Sequence, residues 1–251
     1  MLRGIYTSAT GMEAQKDMQE LIADNLANAN TSGFKAVRHI YKSFADHPIV
    51  NSATGQEMGE ISHGIEPFST SYDFAQGPLR QTGNPLDIAV RGEGFFAIQD
   101  ADGVVSYTRN GHFSLDKDGY IVTQSGDFLL DQGLAPVFLG FQGVRDLVVL
   151  RNGNMVVNGD YVARLNTFEF PDDAKIMRQA GDKYTADKAL TGMNSSFNST
   201  LAQGFIENSN VSPVKTSAEM VQVMRSYESN QRAMKAQVDT LQMLMQLGEN
   251  I

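Results

Sequence analysis

The stretch GEGFFA, Gly92–Ala97, has the residue types and spacing of the G-x-G-x-x-A fingerprint that holds the pyrophosphate of a dinucleotide. That chemistry needs a strand before the first glycine and a helix N-terminus after the motif, because the helix dipole attracts the phosphates. The preceding LDIAV suits a strand, but the following residues continue as a second strand and a turn. The pattern therefore favours a glycine bend in which Gly92 takes a bulge or a positive φ, and a dinucleotide-binding enzyme stays as the weaker alternative.

Other residue combinations that could support chemistry are incomplete. The stretches Asp100–Gly103 and Asp116–Gly119 begin like calcium loops, but glycine comes too early and no glutamate closes the loop. The four histidines lack the spacing of a metal site, and the chain has no cysteine. We therefore expect no catalytic residue, no cofactor, no metal, no enzyme activity and no small-molecule substrate.

Composition narrows the remaining classes of protein. The 251 residues carry a net charge of −9 and are 41% hydrophobic, so the chain can form a core and lacks the basic surface that nucleic acid requires. No window approaches the roughly 18 apolar residues of a membrane span, and no apolar run follows the N-terminus. We expect a protein that binds no nucleic acid, is not inserted in a membrane and has no cleaved signal peptide.

The middle of the chain reads as short strands. Two Asp-Gly pairs and three Asn-Gly pairs, the latter at 110–111, 152–153 and 158–159, separate segments rich in β-branched and aromatic residues. Short strands at regular spacing are typical of a sandwich or a barrel-like domain.

The two ends of the chain read as helices. Ile5, Met12, Ile22 and Leu26 fall on one face of a helix from about Gly4 to Ala27. Near the C-terminus an unbroken heptad pattern predicts a helix of about 32 residues with a coiled-coil partner. Its positions are Met220, Met224, Tyr227, Gln231, Met234, Val238, Leu241 and Met245. Thr216 and Glu219 have the spacing of a capping box at its start.

These elements predict an α+β fold, in which an all-β central domain of the short-strand sandwich or barrel-like kind is bracketed by long terminal helices that pair as an antiparallel coiled coil. The predicted domains are a discontinuous helical domain at 1–35 and 205–251, an extended linker at 36–78 and a β domain at 79–204.

Three blocks of the sequence resemble the rod and hook family, the axial proteins of the bacterial flagellum. The first is ADNLANANTSGFKA, which includes Asn25, Leu26, Asn28 and the pair Gly33-Phe34. The second is NPLDIAVRGEGFFAIQ with YTRNGHFSLDKDGYIVTQSGDFLLD. The third begins GFIENSNVSPVKTSAEMVQVMRSYE and includes Glu207 and Ser209-Asn210-Val211. Because the blocks cover both ends and the centre in order, the resemblance extends over most of the chain.

The resemblance implies a structural subunit of the basal-body rod that polymerises through its terminal helices into the hollow shaft that transmits torque. Its partners would be copies of itself, other axial proteins and the flagellar export apparatus, and its location the basal body. A hook-type axial protein stays as an alternative, as does a coiled-coil fibre protein of the phage-tail or adhesin kind. A single modest β domain favours rod over hook.

The resemblance also assigns roles to the asparagine-rich loop. In an assembled rod the short amides would satisfy backbone groups buried by neighbouring subunits, although at least one of them should simply cap or turn the helix. Gly33 would permit a sharp exit at positive φ, and Phe34 would fill a gap between subunits. The residues expected to mediate assembly are Ile5, Met12, Ile22, Asn25, Leu26, Asn28, Gly33, Phe34, Met220, Met224, Tyr227, Met234, Val238 and Leu241.

Overall fold

The computed structural model describes residues 2–44, 47–50, 57–61, 64–140, 146–169, 176–179, 181–186 and 199–249. Within these residues it has one long helix near each end, α1 at Leu2–Ala27 and α2 at Pro213–Glu249. Eighteen short strands lie between them. They are β1 Val37–Ser43, β2 His47–Val50, β3 Glu57–Ile61, β4 Ile65–Tyr72, β5 Leu79–Gln81, β6 Ile88–Arg91, β7 Phe96–Gln99, β8 Val105–Thr108, β9 Phe113–Leu115, β10 Ile121–Thr123, β11 Phe128–Leu129, β12 Leu147–Val149, β13 Asn154–Val157, β14 Asp160–Arg164, β15 Ile176–Arg178, β16 Lys183–Ala186, β17 Thr200–Gln203 and β18 Phe205–Glu207.

The chain divides into two compact units. Unit 1 comprises Met1–Ala27, Val37–Asp73 and Ser212–Ile251, and unit 2 comprises Asn28–Ala36 and Phe74–Val211. The asparagine-rich loop therefore belongs to unit 2, although both of its ends lead into unit 1. Parts of the predicted linker 36–78 lie outside the described residues, namely 45–46, 51–56 and 62–63.

Unit 2 holds the main β structure. Its largest sheet has seven strands in the order β15-β16-β8-β7-β11-β10-β9, and a second sheet has the order β12-β13-β14. Two further antiparallel pairs, β17 with β6 and β18 with β5, connect the end of unit 2 to its beginning. A core of fifteen buried apolar residues draws on most of these strands, and Ile88, Phe96 and Ile121 at its centre are fully buried. The predicted all-β centre is thus present.

The Asn-Gly pairs at 158–159 and 110–111 have different backbone conformations. Asn158 and Gly159 both have positive φ, at 54° and 92°, as a tight hairpin turn requires. Gly111 is different, because its backbone packs directly on that of Ile88, whose N–H donates to the Gly111 carbonyl at 2.9 Å. The Asn110 side-chain oxygen accepts the His112 N–H at 3.1 Å, so this pair turns the chain without a positive φ, and the glycine there serves close approach of two backbones.

Unit 1 contains the helices and two antiparallel strand pairs that the sequence did not indicate. Strand β1 pairs with β4 and β2 pairs with β3, both antiparallel. The β1 strand is held on α1 by the Tyr41 hydroxyl, which donates to the Ala14 carbonyl at 3.2 Å. Burial, with a smaller effect of the nearby Asp17 carboxylate, raises the pKa of Tyr41 above its ordinary value.

The predicted antiparallel coiled coil is wrong, although an α+β fold with terminal helices stands. The seam should have buried Met224, yet 42% of this residue is exposed. Where α2 lies against Gly4 and Gly11 of α1, its contacting side chains are polar, since a Cβ on Gly4 would lie 2.6 Å from the Gln237 amide and one on Gly11 would lie 3.1 Å from that of Asn230. A coiled coil requires apolar knobs at such positions. The heptad positions do not form one continuous buried seam, because Met224, Tyr227 and Met245 are exposed whereas other positions of the pattern are half-buried.

The start of α2 also differs from the prediction. Pro213 is the first helical residue, where its missing N–H costs nothing, and the Thr216 N–H donates to the Ser212 carbonyl at 2.9 Å. Thr216 is therefore inside the helix and buried, so it does not form a capping box with Glu219. Within the described residues, neither helix is long and apolar enough to cross a membrane.

Candidate functional site

The asparagine-rich loop turns immediately after α1. The Thr31 N–H donates to the Asn28 carbonyl at 3.1 Å, and the Thr31 hydroxyl donates to the Asn28 side-chain oxygen at 3.3 Å. Asn30 is exposed at the outside of the turn. Asn28 therefore caps a local turn, which is one of the two roles that its residue type predicts.

Gly33 sits where no other residue fits. Its φ is +72°, which confirms the predicted positive φ, as does the φ of +109° at Gly92. A Cβ on Gly33 would collide with the Asn110 N–H and lie 2.5 Å from the Arg109 carbonyl carbon. The close approach lets the Gly33 N–H donate to the Glu207 carbonyl at 2.8 Å. The glycine thus joins the loop to the end of β18.

A charge cluster made of Lys35, Arg109 and Glu207 lies behind this contact, and we call it the Glu207 cluster. Lys35 Nζ donates to Glu207 Oε1 at 2.6 Å, and an Arg109 terminal nitrogen approaches Oε2 at 3.4 Å. All three side chains are at most 1% exposed. Lys35 Nζ also donates to the Ala75 carbonyl, and the Gly77 N–H donates to Glu207 Oε1, both at 2.8 Å. Burying three charges requires such mutual pairing.

Glu207 is the main negative charge that stabilises the two cations of the cluster. Burial lowers the pKa of Arg109, and the charge and hydrogen bond of Glu207 oppose that shift, with smaller help from Glu93 and Glu169. The guanidinium also lies 4.9 Å from the centre of the Phe95 ring, a cation–π distance. Removing the Glu207 charge would leave Lys35 and Arg109 as two buried cations that repel each other.

Two predicted assembly residues are occupied within their own chain. Phe34 is fully buried, with the Arg178 guanidinium 4.8 Å from its ring centre, so it has no surface left for a neighbouring subunit. Asn25 is also buried, and its amide pairs with both backbone groups of Val37, donating at 2.8 Å and accepting at 3.0 Å. Asn25 thereby ties the end of α1 to the start of β1.

The other predicted assembly residues lie on the helices at different depths. Ile22 is buried, and Met224 and Tyr227 are exposed. The half-buried positions are Ile5, Met12, Leu26, Met220, Met234, Val238 and Leu241. The structure therefore places these residues along two helices of unit 1, and their part in assembly stays a prediction.

Sequence reasoning did not assign a role to the three members of the Glu207 cluster. Lys35 and Glu207 are separated by 172 positions, and charged side chains are ordinarily expected at the surface. The only available signal was that both residues fall inside blocks that resemble the rod and hook family.

Comparison with known proteins finds three family models along the chain. The flagella basal body rod protein model matches residues 5–35, the flagellar hook protein FlgE/F/G D1 domain matches 89–178, and the flagellar basal body rod FlgEFG protein C-terminal model matches 202–247. Each of the three matched regions contributes one residue to the Glu207 cluster, namely Lys35, Arg109 and Glu207.

Curated relatives match over nearly the whole length. The flagellar basal-body rod protein FlgG of Buchnera aphidicola subsp. Acyrthosiphon pisum (strain APS) is 30% identical, over 98% of this chain and 100% of the relative. The rod protein FlgF of Caulobacter vibrioides is 30% identical, over 91% of each chain. FlgG of Agrobacterium fabrum is 28% identical, over 92% of this chain and 94% of the relative.

The chain has a β-rich unit whose incoming and outgoing segments meet at a buried charge cluster, and it has a long helix near each end. The chain belongs to the flagellar basal-body rod and hook family of axial proteins. It is a structural axial subunit of the flagellar basal-body rod and not an enzyme. The glycine bend at 92–97 agrees with this role, because β6 is followed by β7 and not by a helix N-terminus.

Proposed function

We propose that this chain joins copies of itself and other axial proteins through apolar side chains that α1 and α2 leave exposed, and that the flagellar export apparatus delivers it to the growing rod. The observation that carries the proposal is the surface of α2. Along its length this helix keeps large apolar side chains in contact with solvent. They are Val214, Val221, Met224, Tyr227, Met243, Leu244 and Met245.

The distribution of these side chains supports contact with more than one neighbour. At 100° per residue, Val214 and Val221 lie within about 20° of each other and about 160–180° from Asn230, which approaches α1. Met224 and Tyr227 lie between these two faces. Single exposed apolar residues are common, but a helix of 37 residues exposed in this way gains most by burial against other subunits.

Methionine suits such contacts. Its unbranched, polarisable side chain accepts somewhat different packing at non-equivalent positions. Of the seven large apolar residues that α2 exposes, three are methionines. Burying one such side chain between subunits contributes roughly 1.5–3 kcal/mol, and the contribution repeats at each subunit.

The test compares two aspartates two residues apart on α2. Met224→Asp places a charge on the exposed apolar side, and Gln222→Asp adds the same charge at an exposed polar position. Both purified variants should match the native circular dichroism and unfolding curve, since neither side chain is in a core. In cells that carry the variant in place of the native chain, Met224→Asp should abolish swimming and rod completion, and Gln222→Asp should preserve them. Complete rods containing Met224→Asp would refute the proposal.

A further inference from the structure

The chain enters or leaves unit 2 at four points, which lie in three short stretches of sequence. These points are the two ends of Asn28–Ala36, the start of the long segment at Phe74 and its end at Val211. Residues 33–36 of the first segment and 75–77 of the second are bonded to residues that lie just before Val211. The side-chain bonds come from two residues, Glu207 and Asn210.

Glu207 binds both of the other segments at once. Its carbonyl accepts the Gly33 N–H at 2.8 Å, and its Oε1 accepts Lys35 Nζ at 2.6 Å. The same Oε1 accepts the Gly77 N–H at 2.8 Å, and Lys35 continues to the Ala75 carbonyl. One fully buried carboxylate therefore holds the loop after α1 and the segment after β4 on the strand that leads to α2.

Asn210 repeats this arrangement nearer to the surface. Its side-chain oxygen accepts the Ala36 N–H at 2.8 Å, and its side-chain nitrogen donates to the Ala75 carbonyl at 3.2 Å. Its backbone N–H reaches the Phe34 carbonyl at 3.4 Å. The two residues thus make the same pair of connections, with a charge in one case and an amide in the other.

We propose that Glu207 and Asn210 are positioning residues that form a latch, which fastens the loop after α1, the segment after β4 and the segment before α2 at one place. A pull on the segment that leads from α1 and a pull on the segment that leads to α2 are then borne by the same bonds, and not by separate tethers. The load itself rests on the proposed role of the chain in an axial structure, whereas the latch is a property of unit 2 alone.

The first test is hydrogen exchange on the purified full-length chain. Glu207→Gln keeps the shape of the side chain and removes its charge. We expect amide exchange to accelerate about tenfold or more at both 31–36 and 75–78, while β6 and β7 in the core keep native protection. The matched control is Asp127→Asn, which removes the carboxylate of another 2.6 Å lysine ion pair in unit 2, that with Lys183. The control should leave both segments unchanged.

A second variant keeps the test valid if Glu207→Gln does not fold. Asn210→Ala removes the side-chain contacts near the surface and should accelerate exchange at Ala36 and around Ala75 together. The latch is overturned if either variant accelerates only one of the two segments, or if Glu207→Gln affects them no more than Asp127→Asn does.

The load on the latch is tested separately in swimming cells. In a viscous medium, cells carrying Glu207→Gln should lose a larger fraction of their speed than cells carrying Asp127→Asn. If the two strains lost the same fraction of their speed although Glu207→Gln accelerated exchange, the latch would stand, and the proposal that it bears load would be refuted. If deletion of the gene left swimming intact, the role of the chain in the axial structure would be refuted. The hydrogen-exchange result would still show whether the latch exists.

Discussion

Gly33→Ala should destabilise unit 2 far more than an alanine at an equally left-handed glycine in open space. Gly33 and Gly83 have nearly the same φ, +72° and +75°, but a Cβ at Gly83 meets no atom within 4 Å. Alanine at Gly83 therefore carries only the conformational cost of a left-handed residue, roughly 1–2 kcal/mol.

Alanine at Gly33 adds a steric cost that the backbone must absorb. The new Cβ would collide with the Asn110 N–H, and backbone atoms cannot rotate away as a flexible side chain can. Moving the loop outward breaks the 2.8 Å bond from the Gly33 N–H to the Glu207 carbonyl, and an unpaired buried group costs about 1–3 kcal/mol. Adding this to the conformational cost of roughly 1–2 kcal/mol, we expect a loss of roughly 2–5 kcal/mol in the free energy of unfolding.

Urea unfolding of the two purified variants measures the difference directly. The circular dichroism of the β structure reports on unit 2, whose sheets contain most of the strands. For a domain of this size each kcal/mol lowers the melting temperature by roughly 2–4 °C, so the variants should also separate on heating. Equal destabilisation by Gly33→Ala and Gly83→Ala would refute the argument that the contact with Asn110, and not the left-handed backbone alone, demands glycine.

Two further predictions concern the buried amide of Asn25 and the half-buried phenol of Tyr107. Asn25→Asp should cost about 3 kcal/mol or more, because a carboxylate oxygen replaces the N–H donor that faces the Val37 carbonyl, whereas Asn30→Asp at an exposed position should be nearly neutral in the same unfolding assay. Burial raises the pKa of Tyr107, so the unfolded chain loses this proton first and stability falls as pH rises from about 10 towards the higher folded value. Tyr107→Phe should remove that part of the alkaline loss, and an unchanged pH profile would contradict the assignment.

The parts of the fold that depend on local patterns could be predicted from the sequence. The helix α1 and the hairpin at Asn158-Gly159 depend on periodicity and on residues that tolerate positive φ, which are visible within a few positions. The Asn110-Gly111 pair has the same local signal but packs against Ile88, more than twenty positions earlier, and no local rule distinguishes the two cases.

The candidate site could not be predicted for a related reason. Lys35 and Glu207 become informative only when the fold brings them together, and each alone resembles a surface charge. The prediction of a coiled coil was wrong for the opposite reason, because the local pattern was present and the expected pairing was not. Some heptad positions of α2 are half-buried and others are exposed, and a pattern within one helix does not specify what lies against each of them.

The three asparagines at the end of α1 have different roles within the chain. Asn25 holds the backbone of Val37, Asn28 shapes the turn, and Asn30 faces solvent. The residues just beyond them act together, because Gly33 and Lys35 both bind Glu207. The amides therefore bring the chain off the helix at a defined point, and the next residues fasten it to the segment that leads to the other helix. The subunit thus commits its buried charge to its own chain, and the apolar side chains that α2 exposes are left for the subunit contacts that we propose.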